Sequence, residues 1–388
     1  MADTSFLQWP FFEERHRRLA ADFDAWAKNF SPPDEADDDA DLDRCCRALA
    51  KSLGEGGWFR QAIPAKYGGA APDRLDARSI AVMREKLAYR SGLADFVFAL
   101  QGLGAGPISL FGSDAMKRKY LPAVAKGEAI AAFAISEAEA GSDLSAMTTT
   151  ARRDGTGYVI DGEKTWISNA GLARHYVVVC RFPEDGEKSF IALLVEADNP
   201  GVKVTARIPI VAPHPLGTLR FAGCRVTADA LIGEPGKGMR VALGTLDVFR
   251  PTVGAAALGL ARRALDEAVE HVGSRQAFGQ KLADFQLTQA KIANMAVAID
   301  TSALLVYRAA WTRDSGADRI TREAAMAKLH ATESAQKVID DAVQLLGARG
   351  VVRGEVVERL YREIRALRIY EGTSEILQLV IAGQVLHG

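Results

Sequence analysis

The chain has 388 residues, 48% hydrophobic and 25% charged, with a formal net charge of −1 at pH 7. This length supplies two to three domains, and the near-zero charge leaves no electrostatic footprint for nucleic acid, so no polyanion partner is expected. The N-terminus mixes Glu13 and Glu14 with Arg15, Arg17 and Arg18, unlike a targeting peptide, and no apolar run is expected to reach bilayer length; the expectation is a cytoplasmic protein with no membrane partner.

In chain order, the stretch from Leu42 to about Lys126 is patterned as helices, with the acidic run Asp34 to Asp43 and the Gly/Pro cluster from Ile63 to Pro72 expected as loops. Between Ala131 and Gly233 the texture changes to short β-rich runs at residues 158–160, 166–168, 176–180, 191–195 and 202–208. Asp161-Gly162 predicts a tight hairpin between the first two, because a two-residue turn needs positive φ. Beyond Gly238 the spacing predicts amphipathic helices over 239–272, 285–315, 322–346 and 356–368, a four-helix bundle, followed by a last helix over 376–386. The expected architecture is mainly α with a central β-domain: an N-terminal helical domain over 1–130, a small β-barrel-like or sandwich domain over 131–238, and a C-terminal bundle over 239–388. Cys45, Cys46, Cys180 and Cys224 lack the spacing of a disulfide framework and read as reduced core or surface thiols.

Four segments carry candidate chemistry. Phe133 to Asp143 combines small residues, the hydroxyls of Ser136 and Ser142 and a glycine, which can offer donors to a polar ring or a phosphate. Lys164 to Gly171 sets Trp166 and Ser168 two positions apart, on one strand face, where a ring could stack. Arg275-Gln276-Ala277-Phe278-Gly279, with Gln286 further on, suits a pyrophosphate beside an aromatic ring. For each of these the competing reading is capping or packing. Tyr370-Glu371-Gly372-Thr373-Ser374-Glu375 falls at a helix-to-helix corner, with Gly372 permitting close approach and Thr373 or Ser374 as N-cap of the last helix. No dinucleotide fingerprint, P-loop, nucleophile elbow or His pair at metal spacing accompanies them.

These four segments, in this order and spacing, resemble the acyl-CoA dehydrogenase family, closest to the short- and medium-chain type. The resemblance implies FAD as cofactor, an acyl-CoA substrate, an electron-transfer flavoprotein as partner and a homotetramer built as a dimer of dimers. It implies that Phe133, Ile135 and Ser136 lie along the flavin ring, Trp166 packs on it, Ser168 reaches N5, and Ser142 sits near phosphate groups. Arg275, Phe278 and Gln286, with Gln344 and Gly347, would hold the pyrophosphate and adenosine part from a neighbouring subunit; Thr373 and Glu375 would complete the FAD contacts. Ala348 departs from the family's glycine pair and adds a methyl group there. Glu371 matches the catalytic base, which removes the α-proton as hydride leaves for flavin N5, giving a trans-2-enoyl-CoA. Phe249 stands where some relatives carry the base instead. Asp247, Arg250, Tyr370 and Gly372 would contact substrate, and Phe249 either narrows the acyl cavity or is a core aromatic. Glu371 is expected to have a raised pKa only once acyl chain has entered, since the following helix N-terminus favours the carboxylate. Asp95, inside the apolar run Leu93 to Leu100, would either pair with Arg90, face solvent, or recognise a polar substituent on the acyl group. Alternatives on the same fold are an acyl-carrier-protein dehydrogenase, an acyl-CoA oxidase, and a non-catalytic flavoprotein scaffold.

Overall fold

The computed structural model describes residues 3–32, 39–72, 74–186, 188–317 and 319–387. Helices α1 (Glu14–Trp26), α2 (Asp39–Glu55), α3 (Ala77–Arg90), α4 (Gly92–Phe111) and α5 (Asp114–Ala125) come first. Strands β1 (Ala131–Ala134), β2 (Thr150–Asp154), β3 (Gly157–Ser168), β4 (His175–Arg181), β5 (Phe190–Glu196), β6 (Val202–Arg207), β7 (Leu216–Val226) and β8 (Leu231–Ile232) follow. Helix α6 (Gly238–Ser274), the small hairpin β9 (Gln276–Ala277) and β10 (Gln280–Lys281), and helices α7 (Gln286–Asp314), α8 (Thr321–Leu346), α9 (Val356–Leu367) and α10 (Ser374–His387) complete the chain. The fold is mainly α with a central sheet, as the patterning implies. It divides into two compact units, one of Met1–Glu35, Ala77–Asp95 and Asp247–Gly388, the other of Ala36–Asp76 and Phe96–Leu246.

In the first unit, small residues let helices approach closely. The buried face of α6 is Ala-rich, through Ala255, Ala256, Ala257, Ala261, Ala264 and Ala268. At Gly259 a Cβ would fall 2.1 Å from the carbonyl oxygen of Glu85, so α6 and α3 meet backbone to backbone there. Helix α9 buries Val357, Leu360, Ile364 and Leu367, the stripe that a 3.6-residue period produces, and each such aliphatic side chain stabilises the fold by about 1.5–3 kcal/mol.

In the second unit the sheet runs β6-β7-β3-β2-β4-β5-β8, with β1 parallel to β4. Alternate residues of β4 and β5 enter different cores: Val177, Val179, Ala192 and Leu194 pack in one, Tyr176, Val178, Cys180, Ile191, Leu193 and Val195 in the other. Burial on both faces explains why these strands read as unbroken apolar runs. The second core also takes Ile160, Leu219 and Phe221 from β3 and β7, so the two halves of one sheet close over a shared interior.

Three expectations need correction. Residues 158–168 form one strand, not a hairpin: the register shifts between Ile160 and Gly162, a β-bulge at which Asp161 accepts from the Gly223 amide at 2.6 Å. The turn lies earlier, where Asp154 pairs with Gly157 and Gly155 takes φ 58°. The acidic run is only partly a loop, since Asp39 to Asp43 open α2, where carboxylates complement the helix dipole, and 33–38 lie outside the described residues. Finally, α4, α6 and α7 are long and apolar enough to cross a membrane by length and composition alone. The apolar windows of α4 and α6 are 83% buried within the protein and that of α7 33%.

Candidate active site

The chain leaves α9 through a tight corner in which the Ile369 and Tyr370 amides both donate to the Ala366 carbonyl. Glu371 then adopts φ 55° and Gly372 φ 102°, two successive left-handed residues. Gly pays nothing for this, but a residue with a Cβ is strained by about 1–3 kcal/mol, so the surroundings must hold it. They do so through backbone carbonyls. Arg250 Nε donates to the Glu371 carbonyl at 3.0 Å, and Lys328 Nζ donates to the Gly372 carbonyl at 2.7 Å. Thr373 settles the choice of N-cap, its Oγ1 accepting from the Ile376 amide at 3.3 Å. Ser374 Oγ instead donates to Glu333, which also holds Arg368 at 2.8 Å.

Glu371 Oε2 is buried and has no hydrogen-bond partner among the described residues. Burial pushes its pKa above the ordinary carboxylate value against the nearby Arg84, Arg250 and Lys328 cations, with Asp95 adding to the rise. The expectation that this requires a bound acyl chain is therefore corrected, because burial in the folded chain already prevails. Lys328 is fully buried, and desolvation pulls its pKa down to about 8 although Glu371 opposes that shift.

Asp95 is buried, not facing solvent, and its carboxylate is held by Arg84. Arg84, from the preceding helix, donates Nε to Oδ1 at 2.9 Å and Nη2 to Oδ2 at 2.8 Å, while its Nη1 reaches Thr252 Oγ1 at 3.2 Å. Asp247 stands 3.7 Å from Arg250 and accepts from Thr321 Oγ1 at 3.2 Å. Phe249 is buried in the interior, 1% exposed, and Tyr370 is 36% exposed. Arg84, Lys328 and Glu333 are site residues that the sequence reading missed; the available signal was a charged residue set among the apolar positions of a helix.

A concavity of the same unit, about 600 Å³, is lined by Arg275, Arg349, Gly347 and Ala348 among others. Gly347 has φ 61° and open space where a Cβ would stand, while two arginines flank the cavity. That donor set suits a pyrophosphate. Gln344, Phe278 and Gln286 lie outside the lining; Phe278 is 97% exposed and meets the Phe285 ring edge to face. Glu375 is exposed at the start of α10.

In the other unit, two predicted segments come together. Lys164 Nζ donates to the Ile135 carbonyl at 2.9 Å and the Thr165 amide to the Ser136 carbonyl at 3.0 Å, tying the 133–136 segment to β3. Glu137 anchors the same junction: it accepts from Lys164 at 2.8 Å and from the Thr148 and Thr149 amides. A register shift between Lys164 and Ile167, with Trp166 at φ 60°, leaves the indole 55% exposed. Ile135, Ser136 and Ser168 are half-buried, Ser142 is exposed, and Phe133 packs into the sheet core. An exposed indole next to tethered backbone suits a planar ring.

Comparison with known proteins agrees with this chemistry. Models of the N-terminal, middle and C-terminal domains of acyl-CoA dehydrogenase match residues 13–128, 132–224 and 236–386. The chain is 36% identical over 386 residues to the 3-(aryl)acrylate reductase of Clostridium sporogenes, covering 97% of this chain and 100% of that protein. It is 38% identical over 343 residues to the short-chain specific mitochondrial acyl-CoA dehydrogenase of Homo sapiens, covering 87% and 82%. An acyl-CoA dehydrogenase from Bacillus anthracis, solved in complex with FAD, superposes with a TM-score of 0.87 at 32% identity, covering 100% of this chain and 71% of that one. The chain belongs to the acyl-CoA dehydrogenase family of FAD-dependent oxidoreductases acting on CH–CH bonds.

Proposed function

We propose that the protein oxidises the Cα–Cβ bond of an acyl-CoA thioester to the trans-2-enoyl-CoA, with Glu371 as the base. The observation that carries this is the buried Oε2 of Glu371, without a hydrogen-bond partner among the described residues, in a carboxyl group whose pKa is raised. An α-proton is a weak acid, so a base of raised pKa is better matched to it than an ordinary carboxylate. The Glu371 backbone amide, freed from helical pairing by the left-handed corner, is suited to donate to the thioester oxygen as negative charge develops there. FAD, when bound, supplies the hydride acceptor. Arg275 and Arg349 would neutralise its pyrophosphate, and Trp166 would shield its ring from water.

We assign the electrons to an electron-transfer flavoprotein and the assembly to a homotetramer. The second assignment is supported by apolar residues left exposed on single-chain faces, Leu304 and Trp311 on α7 and Leu379, Val385 and Leu386 on α10. The Clostridium relative is named for reduction of an arylacrylate, which favours a second reading in which the same base delivers a proton in the reducing direction.

Anaerobic titration of the flavin with butyryl-, hexanoyl-, octanoyl-, isobutyryl- and 3-phenylpropanoyl-CoA tests the assignment. Bleaching by at least one thioester is expected, with Glu371→Gln binding FAD and thioester yet reducing its flavin slower by about 10²- to 10⁴-fold. Retention of more than about a tenth of the rate by that variant removes Glu371 from the role, since single general-base deletions cost far more. If cinnamoyl-CoA reoxidises the reduced flavin faster than any saturated thioester reduces it, the second reading prevails.

A further inference from the structure

Helix α8 presents a lysine where its neighbours are alanines. Lys328 lies on the same buried face as Ala324, Ala325, Ala327 and Ala331, and its side chain is fully enclosed. An ammonium is costly to remove from water, and a packing role would be filled as well by Leu or Met. Among the described residues its hydrogen bond goes to one place, the Gly372 carbonyl at 2.7 Å. One residue earlier, Arg250 holds the Glu371 carbonyl at 3.0 Å from a different helix. Two buried cations thus grip two successive carbonyls of the left-handed corner that carries Glu371. Both grips are on backbone, so the corner is fixed while Glu371 Oε2 is left without a hydrogen-bond partner among the described residues. Glu333, one turn and a residue beyond Lys328 on α8, secures the flanks of the same corner through Arg368 and Ser374.

We propose that Lys328 is a positioning residue, which with Arg250 clamps the carbonyls of residues 371 and 372 and so aims the Glu371 carboxylate. This rests on Glu371 being the base. A base displaced by about 1 Å loses on the order of 10²-fold in rate without any change in its chemistry.

The test uses FAD-loaded Lys328→Met and Lys328→Gln beside wild type and Glu371→Gln. Three quantities are read: flavin reduction rate per bound FAD with the fastest thioester of the panel above, the dissociation constant of that thioester, and hydrogen exchange of amides 369–377 in the protein without substrate. Lys328→Met is expected to reduce flavin at least about tenfold slower, to bind the thioester within about threefold of wild type, and to exchange the corner amides faster while the remaining α8 amides are unchanged. Lys328→Gln keeps a donor on a shorter stem and is expected to show the same pattern at about threefold or more. A wild-type reduction rate and unchanged corner exchange in Lys328→Gln overturn the clamp even if Lys328→Met fails to fold. If Glu371→Gln loses its rate while Lys328→Met keeps it, the clamp alone fails. If Glu371→Gln keeps its rate, the base assignment fails, and hydrogen exchange still decides whether Lys328 holds the corner.

Discussion

Arg84 and Asp95 form a two-bond ion pair, Nε to Oδ1 at 2.9 Å and Nη2 to Oδ2 at 2.8 Å, with both side chains buried. The pair joins consecutive helices and lies close enough to Glu371 that Arg84 lowers its pKa and Asp95 raises it. A planar guanidinium matched to a carboxylate in this way leaves Asp95 engaged, so a specificity role for it would require that pair to open.

Asp95→Ala is therefore expected to act on stability and on the base before it acts on substrate choice. Removing one partner leaves Arg84 buried and uncompensated, a loss of about 3–5 kcal/mol. Asp95→Asn, which keeps the shape, should lower the Glu371 pKa, since a negative neighbour has gone while Arg84 remains. The acid limb of the pH profile for flavin reduction would shift to lower pH. Across plain and polar-substituted acyl-CoAs the change in kcat/KM is expected to be equal; a loss confined to the polar set would instead make Asp95 a specificity residue.

The Glu137–Lys164 pair gives a parallel prediction for the sheet unit. Burial works against the Glu137 carboxylate, yet Lys164 and the Thr148 and Thr149 donors hold its pKa down at about 2. The stability this contributes is present above the unfolded-state pKa near 4.5 and is lost as pH falls toward 2. Lys164→Met should destabilise by about 3 kcal/mol or more and weaken FAD binding, because the Ile135 carbonyl loses its tether. Denaturant titration and FAD dissociation measure the two effects. An unchanged FAD affinity in the folded variant would separate this pair from the cofactor site.

Cofactor binding and assembly should be linked if Arg275 serves FAD across a subunit boundary. Adding FAD to the apoprotein would then raise both the sedimentation coefficient and the melting temperature, with a stabilisation of about 2.7 kcal/mol at a hundredfold excess over Kd. Arg275→Ala should weaken both together. A fully flavinated monomer seen by sedimentation would break the link.

Much of the fold is legible in the sequence because its helices are long and strongly periodic. The patterned stretches 239–272 and 322–346 emerge as Gly238–Ser274 and Thr321–Leu346, differing only at the ends, where capping rather than periodicity decides. The strand through Asp161-Gly162 shows the opposite case: the turn dipeptide lies within a continuous strand, opposite an extra residue of β7, and only the cross-strand register reveals it. At the site, a carboxylate at a Gly-containing corner reads by itself as a solvated turn, and Glu371 stands out only through the three upstream motifs and the family resemblance they carry. Lys328 and Arg84 do not, because their roles depend on helices 44 and 11 residues away in sequence from the groups they hold, Gly372 and Asp95.

His175 sets the last expectation. It opens β4 fully buried, with neither ring nitrogen hydrogen-bonded among the described residues, opposite Glu196 in the β5 register and 5.1 Å from the Tyr120 ring. Burial lowers its pKa from 6.5 to about 4, with Glu196 opposing and Arg174 and Lys119 assisting. Between those values the unfolded chain carries a proton on this ring that the folded chain refuses, so stability falls as pH drops from about 6.5 to about 4 and this contribution is constant below. The full effect is about 3 kcal/mol at the linkage rate of 1.36 kcal/mol per pKa unit. Equilibrium unfolding at a series of pH values should show this slope in wild type and a shallower one in His175→Phe, which keeps a ring but cannot be protonated. The two proteins would have diverged fully by about pH 4, and the Glu137 contribution, common to both, cancels in the comparison. Identical slopes would mean that His175 accepts its proton in the folded state, drawn by Glu196.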